Sequence, residues 1–181
     1  MSILLGIARL ARFRADGFAA FAATPQALLN SLAPLIAFPL LGGLIELGQG
    51  AWRAGIADFL ATLVALLTPL VVTEFYARRW GRQAHWLRFA VASSWSQWAL
   101  PMLLVAVVVA LWFLAVLGLP MSKAVVGVCV LGIFGYGIAL HWFLARQGLG
   151  LSRGRATWLV IAADLLTSVL VIGPRLLAGT A

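Results

Sequence analysis

Asp164 is the residue of this 181-residue chain with the most conspicuous chemistry. It interrupts an apolar run that opens at Ala156, and at helical rise it sits about 12 Å into that run. If the run crosses a bilayer, an ionised carboxylate there costs about 2.5 kcal/mol or more unless it is protonated or paired. The groups within reach on sequence grounds are His141, near the end of the preceding apolar run, and the hydroxyls of Thr167 and Ser168, one turn further along its own segment. Such a set can hold and pass a proton. It can equally be a polar knot that locks two helices together, and the knot is the reading the sequence favours.

Other candidates are weaker. His85 is the second imidazole and falls in a loop, so a metal site lacks donors, and none is expected. Cys129 is the single cysteine, so no intramolecular disulfide can form. Gly132-Ile133-Phe134-Gly135-Tyr136-Gly137 imitates a phosphate loop but has no preceding strand, and reads as helix-packing glycine. Ser93-Ser94-Trp95-Ser96-Gln97 either lines an aqueous vestibule or marks a helix crossing the headgroups, the commoner case. Proteolysis or group transfer inside a membrane needs a nucleophile with its base, an acid pair or a metal-binding cluster. One embedded acid and one histidine do not supply that, so the chain is expected to be non-enzymatic, with no cofactor.

The elements that must position these residues are apolar runs. The chain is 64% hydrophobic and 10% charged, whereas a soluble domain dresses its surface with about 25% charged residues. Uncharged runs near the ~20 residues needed to span hydrocarbon make it an all-α polytopic membrane protein. A β-barrel would show short alternating segments instead. With no soluble surface to display it, the +8 net charge is topology signal and attraction to anionic headgroups, not nucleic-acid binding.

Residues 1–23 come first. Ile3, Ile7, Leu10 and Phe13 fall on one helical side, with Arg9, Arg12 and Asp16 on another. The expectation is an amphipathic helix in the headgroup layer, with no cleavable signal peptide because the arginines follow the short apolar start. The remainder, 24–181, is a transmembrane domain with five spans, at about 28–47, 56–76, 99–119, 124–145 and 156–173. Thr24-Pro25 supplies the first cap. Pro34 and Pro39 predict that the first span is kinked and packed, or split. The uncharged stretch 89–119 has 31 residues, too many for one bilayer crossing. It is therefore divided into an interfacial or tilted approach over 89–97 and a span from Ala99, with Pro101 at the join. Pro120 and Lys123 mark the next turn. In the fourth span Cys129, Gly132, Gly135 and Ala139 share one face, which predicts this helix at the centre of the bundle.

Five spans put Arg9, Arg12, Arg14, Arg78, Arg79, Arg82, Arg88, Arg146, Arg153 and Arg155 on one side, and Arg53, Lys123 and Arg175 on the other. That asymmetry makes Arg78, Arg79, Arg82, Arg88, Arg146, Arg153 and Arg155 the determinants of topology. It predicts a cytoplasmic N-terminus and a periplasmic or extracellular C-terminus. Tyr76, Trp80, Trp86, Trp142 and Trp158 flank the basic connectors, as interfacial aromatics do. Glu74 stands four residues before Arg78, the order that favours a helical ion pair. Glu46 and Asp58 near the opposite side read as solvated or loosely paired.

Thr24-Pro25 before the first span, Gly81…Phe89…Ser94…Pro101 leading into the third, and Gly148-Leu149-Gly150-Leu151-Ser152…Ala156 before the last carry a resemblance. Over Thr24 to about Ala178 the chain resembles the Ypt-interacting-protein (Yip) domain family, whose bacterial members are small five-span membrane proteins. Ala92-Ser93-Ser94 departs from the family pattern, which often sets an aromatic beside the small residues there. Eukaryotic relatives engage small GTPases through a longer cytosolic N-terminal region, so GTPase binding is not implied for this chain, and no site residue is transferred. The resemblance implies a bacterial inner-membrane component that organises or assembles other membrane constituents. Its partners would be anionic lipid, and a membrane protein or a second copy. The alternative is a small proton-coupled transporter or permease subunit working through Asp164 and His141.

Overall fold

The computed structural model describes residues 2–118 and 122–179. Pro120, the Leu119 end of the third span and the Arg175 side chain lie outside the described residues. Helices α1 (Ile3–Leu10), α2 (Pro25–Gly48), α3 (Trp52–Arg79), α4 (Gln83–Ser96), α5 (Ala99–Val116), α6 (Lys123–Gly148) and α7 (Arg153–Gly179) follow in order. A 3₁₀ segment, Ala15–Ala20, lies between α1 and α2. Among the described residues five helical stretches are long and apolar enough to cross a membrane: α2, α3, α4–α5 together, α6 and Arg153–Pro174 of α7.

Local chemistry sets the ends. Thr24 Oγ1 accepts from the Ala27 N–H, with Pro25 at the first helical position, and Ser122 Oγ caps α6 through the Val125 N–H. α3 and α6 finish alike. Gly81 and Gly150 take left-handed φ of +66° and +61°, and the next N–H of each closes on a carbonyl of the last turn, Arg82 to Ala77 and Leu151 to Arg146. Glycine is the residue that reaches this conformation without strain. These two sharp turns bring the basic connectors to the same end of the bundle, where Arg155 lies over the Trp80 ring at 5.7 Å and Trp158 Nε1 donates to the Tyr76 hydroxyl.

α2 runs unbroken through Pro34 and Pro39, so the split does not occur. The division of 89–119 does occur, at Gln97 and Trp98. Both keep right-handed helical angles between α4 and α5, one turn ahead of Pro101, whose ring cannot donate to the Gln97 carbonyl. α4 is not a peripheral approach, however. Phe89, Ala90, Val91, Ala92, Ser94 and Ser96 are all buried, and α4 packs against α2, α3 and α6.

The expectation for α6 is corrected. Positions 127, 132 and 135 have no described atom within 4 Å of where a Cβ would stand, and Ala139 is exposed. Small residues permit close approach but do not compel it, and among the described residues no helix comes to that face. α6 buries its other side near its last turns, through Leu140, Phe143, Leu144 and Ala145. The close approach lies between α2 and α3. There a Cβ on Gly55 would stand 2.9 Å from the Gly43 carbonyl oxygen, and one on Gly43 3.3 Å from the Gly55 oxygen.

The N-terminal segment also differs from a single amphipathic helix. α1 stops at Leu10, Phe13 takes φ +57°, and Asp16 pairs with Arg9 at 3.1 Å and Arg14 at 3.0 Å. The 3₁₀ segment then folds back on α1, packed so closely that a Cβ on Gly6 would meet Ala20 Cβ at 2.6 Å. Ile7 and Leu10 are buried in the core with Phe89, Leu140, Phe143 and Leu149. Tyr136 Oη donates to the Ala11 carbonyl at 2.6 Å. The segment is thus part of the folded core at the arginine-rich end.

Candidate functional site: a His–Asp pair between two cavities

Asp164 stands eleven residues beyond Arg153 on α7, about 16 Å along the axis from the arginine-rich end. His141 approaches it from α6, and the His141 Nδ1 to Asp164 Oδ1 distance is 3.8 Å. That is ion-pair range but longer than a direct hydrogen bond. Side-chain exposure is 40% for His141 and 45% for Asp164, so neither side chain is closed off by the other. A polar knot closes its members on one another and away from other contacts, whereas these two side chains present half their surface elsewhere.

What they face is space. A cavity of about 390 Å³ opens between α3, α4–α5, α6 and α7, with Thr73, Ser93, Gln97, His141 and Asp164 as its polar lining. A second cavity of about 660 Å³ lies between α5, α6 and α7, toward the opposite end, and Thr167 and Ser168 belong to it. Leu100, Pro101, His141 and Asp164 line both. The pair therefore stands where the two spaces meet.

The hydroxyls expected beside Asp164 are placed differently from one another. Thr167 Oγ1 donates to the Ala163 carbonyl of its own helix at 2.7 Å, the usual way a helical threonine satisfies itself in an apolar setting. Ser168 lines the second cavity without Asp164 as a hydrogen-bond partner. In the 390 Å³ cavity Thr73 donates to the Leu70 carbonyl and accepts from Trp86 Nε1 at 3.3 Å.

Several residues join the site that sequence reading did not place there. Pro69 on α3 and Pro101 on α5 border the same space, and each leaves a carbonyl four residues back, Ala65 and Gln97, without its helical N–H donor. All four residues line the 390 Å³ cavity. Helical backbone freed in this way is tolerated at membrane depth where it faces protein or a cavity. The signal was in the spacing: Pro69 with Thr73, and Ser93 with Gln97 and Pro101, recur every four residues and so share a helix face. Of the Ser93–Gln97 cluster, Ser93 and Gln97 line the cavity, while the Ser94 and Ser96 hydroxyls are buried without a hydrogen-bond partner among the described residues.

The topology arginines cluster at one end. Arg78 bonds Glu74, Arg146 lies over Trp142 at 5.3 Å, and Arg155 covers Trp80. Arg79 and Arg82 bracket the α3–α4 turn, Arg88 follows on α4, and Arg153 opens α7. At the other end Arg53 stacks on Trp52 at 5.1 Å. Glu46 turns a buried Oε2 toward Gly55 rather than standing in solvent.

No family model matches this chain, and no curated protein or solved structure matches it. Among the described residues no three His, Cys, Asp or Glu side chains gather around one point. The site offers one carboxylate, one imidazole and a few neutral polar groups. That chemistry binds and exchanges a proton, or counters one positive charge.

Proposed function

We propose that this chain is a small proton-coupled transporter or permease subunit of a bacterial inner membrane, without enzymatic activity, in which His141 and Asp164 are the proton-titrating pair. One observation carries the reading: the pair stands half-exposed at the junction of two cavities. An intramembrane acid is expensive, and a cavity that admits water or a guest is what lets it ionise. The arginine-rich end faces the cytoplasm, held against anionic headgroups, and the C-terminus emerges on the far side.

Proteoliposomes carrying a trapped pH-sensitive dye, under an imposed potassium diffusion potential, test this. The intact chain moves protons above the level of empty liposomes, and Asp164→Asn abolishes the movement while expression and monodispersity persist. Equal proton movement in both proteins, or none in the intact chain, would refute it.

A second reading is favoured by the outward face of α6, where Gly127, Gly132 and Gly135 lie open. On this reading the chain organises membrane components, in the manner its resemblance to the Yip family implies, by docking a second copy or another membrane protein there. Loss of a native oligomer on replacing Gly132 and Gly135 with leucine, with proton movement absent, would favour that reading.

A further inference from the structure

We infer that the guest of the His141–Asp164 cavity is a small lipophilic monocation that enters sideways from the hydrocarbon, between α5 and α6. This rests on the proton-coupled reading above and adds the substrate class and the route.

Four observations lead there. The first is size: about 390 Å³ adjoining about 660 Å³ is far more room than a proton or a bare ion needs, a water occupying about 30 Å³. The second is charge. Among the described residues that line the two cavities, Asp164 and His141 are the only titratable ones; α3 and α4–α5 present Thr73, Ser93 and Gln97, which carry no charge. With the imidazole neutral, the site holds one negative charge. It has no Lys or Arg to receive an anion, and too few donors to enclose a divalent metal. The third is the wall, chiefly apolar, built from side chains such as Leu70, Leu100, Leu159 and Val160.

The fourth is access. Toward the arginine-rich end the packing is tight: Phe18 and Phe89 meet at Gly148, a Cβ there falling within 2.9 Å of both rings. Away from that end, the second cavity is lined by Leu104, Val130, Phe134 and Ile138, all outward-facing. A path bounded by such side chains is entered from lipid. It suits a molecule that already partitions into the bilayer and carries its charge inside an apolar shell.

Charge balance sets the coupling. Protonated Asp164 is neutral; a monocation that displaces its proton leaves the site neutral again, as carboxylate plus guest. One proton leaves for each cation bound, and the tenancy is mutually exclusive.

The test uses the full chain in detergent, titrated calorimetrically with tetraphenylphosphonium, with tetraphenylborate as the same shape bearing the opposite charge. The phosphonium is expected to bind once per chain, more tightly as pH rises, releasing a proton as read from buffers of different ionisation enthalpy. The borate should not bind. Asp164→Asn should weaken the phosphonium by about 30-fold or more, and Asp164→Glu should restore it. Should Asp164→Asn fail to fold, the phosphonium–borate contrast and Asp164→Glu still decide. Equal binding of the two ions, or Asp164→Asn within about threefold of the intact chain, overturns the inference. Proton movement that depends on Asp164 without phosphonium binding sinks the guest class but leaves the proton reading standing. Phosphonium binding without proton release does the reverse.

Discussion

Leucine introduced at two glycines should act in opposite directions, and the structure says which way each goes. Gly55 lies in α3 where it crosses α2, and a Cβ there stands 2.9 Å from the Gly43 carbonyl oxygen, half an ångström inside ordinary contact at 3.4 Å. The obstacle is backbone and cannot swing aside, so α2 and α3 must part. Overpacking of this kind costs typically 1–3 kcal/mol, and leucine, with three more carbons to place, belongs at about 3. Replacing a helical glycine recovers about 0.8 kcal/mol of helix propensity, leaving Gly55→Leu about 2 kcal/mol less stable. At Gly127 the same propensity gain applies, and no described atom lies within 4 Å of the new Cβ. Gly127→Leu should therefore be stabilised by somewhat under about 1 kcal/mol. The assay is the midpoint temperature at which the monodisperse peak of the detergent-solubilised protein is lost. A Gly55→Leu midpoint at or above the parent's would refute the α2–α3 crossing. A drop for Gly127→Leu would show that the open face of α6 is covered by something outside this chain.

Two further outcomes test the frame around the site. Tyr136→Phe keeps the ring packed against Phe13 but deletes the bond to the Ala11 carbonyl, a loss of about 1 kcal/mol. Trypsin cleavage after Arg12 should quicken about fivefold, and an unchanged rate would mean that this bond does not hold the N-terminal segment down. In a Cys129→Ser background, a cysteine placed at Gln83 should resist an impermeant maleimide in intact cells while one at Gly179 reacts. The reverse pattern would invert the proposed orientation.

How much was legible beforehand varied with the kind of signal. Run length and charge were enough for five apolar helices, because each is a property of one segment against a bilayer thickness. Pro101 was enough to locate the break between α4 and α5, since a missing N–H acts on its own helix. Relations between helices were harder to read. The small residues of α6 state what that face could accept, not what is there, whereas the glycines that do meet, Gly43 and Gly55, sit singly on different helices and make no motif. The N-terminal segment was legible only in part, for a related reason. Ile3, Ile7 and Leu10 have helical spacing, but the positive φ at Phe13 and the Asp16 ion pairs with Arg9 and Arg14 end the helix and fold the chain onto the core. The spacing of Pro69 with Thr73 and of Ser93 with Gln97 and Pro101 marked single faces, but the cavity needs faces of α3, α4, α6 and α7 at once, and no one segment says which faces meet.

Those faces meet where the character of the packing changes. Toward the arginine-rich end Val91, Leu140, Leu144, Leu149 and Leu159 are fully buried. Toward the other end large side chains such as Val108, Trp112, Val128, Leu131, Leu165 and Val169 face outward. In water that splaying would be ruinous, but lipid tails solvate leucine as well as a neighbouring helix does, so apolar faces need not close. Polar groups have no such freedom at that depth. His141 and Asp164 sit at the boundary, attached to the tight half and turned toward the loose one. A carboxylate so placed is stable when ionised only if something polar or cationic shares the space with it. Packing the pair away would have been the simpler solution for stability alone, and the fold does not adopt it. On the transporter reading proposed above, the space beside Asp164 is a seat for an exchangeable occupant.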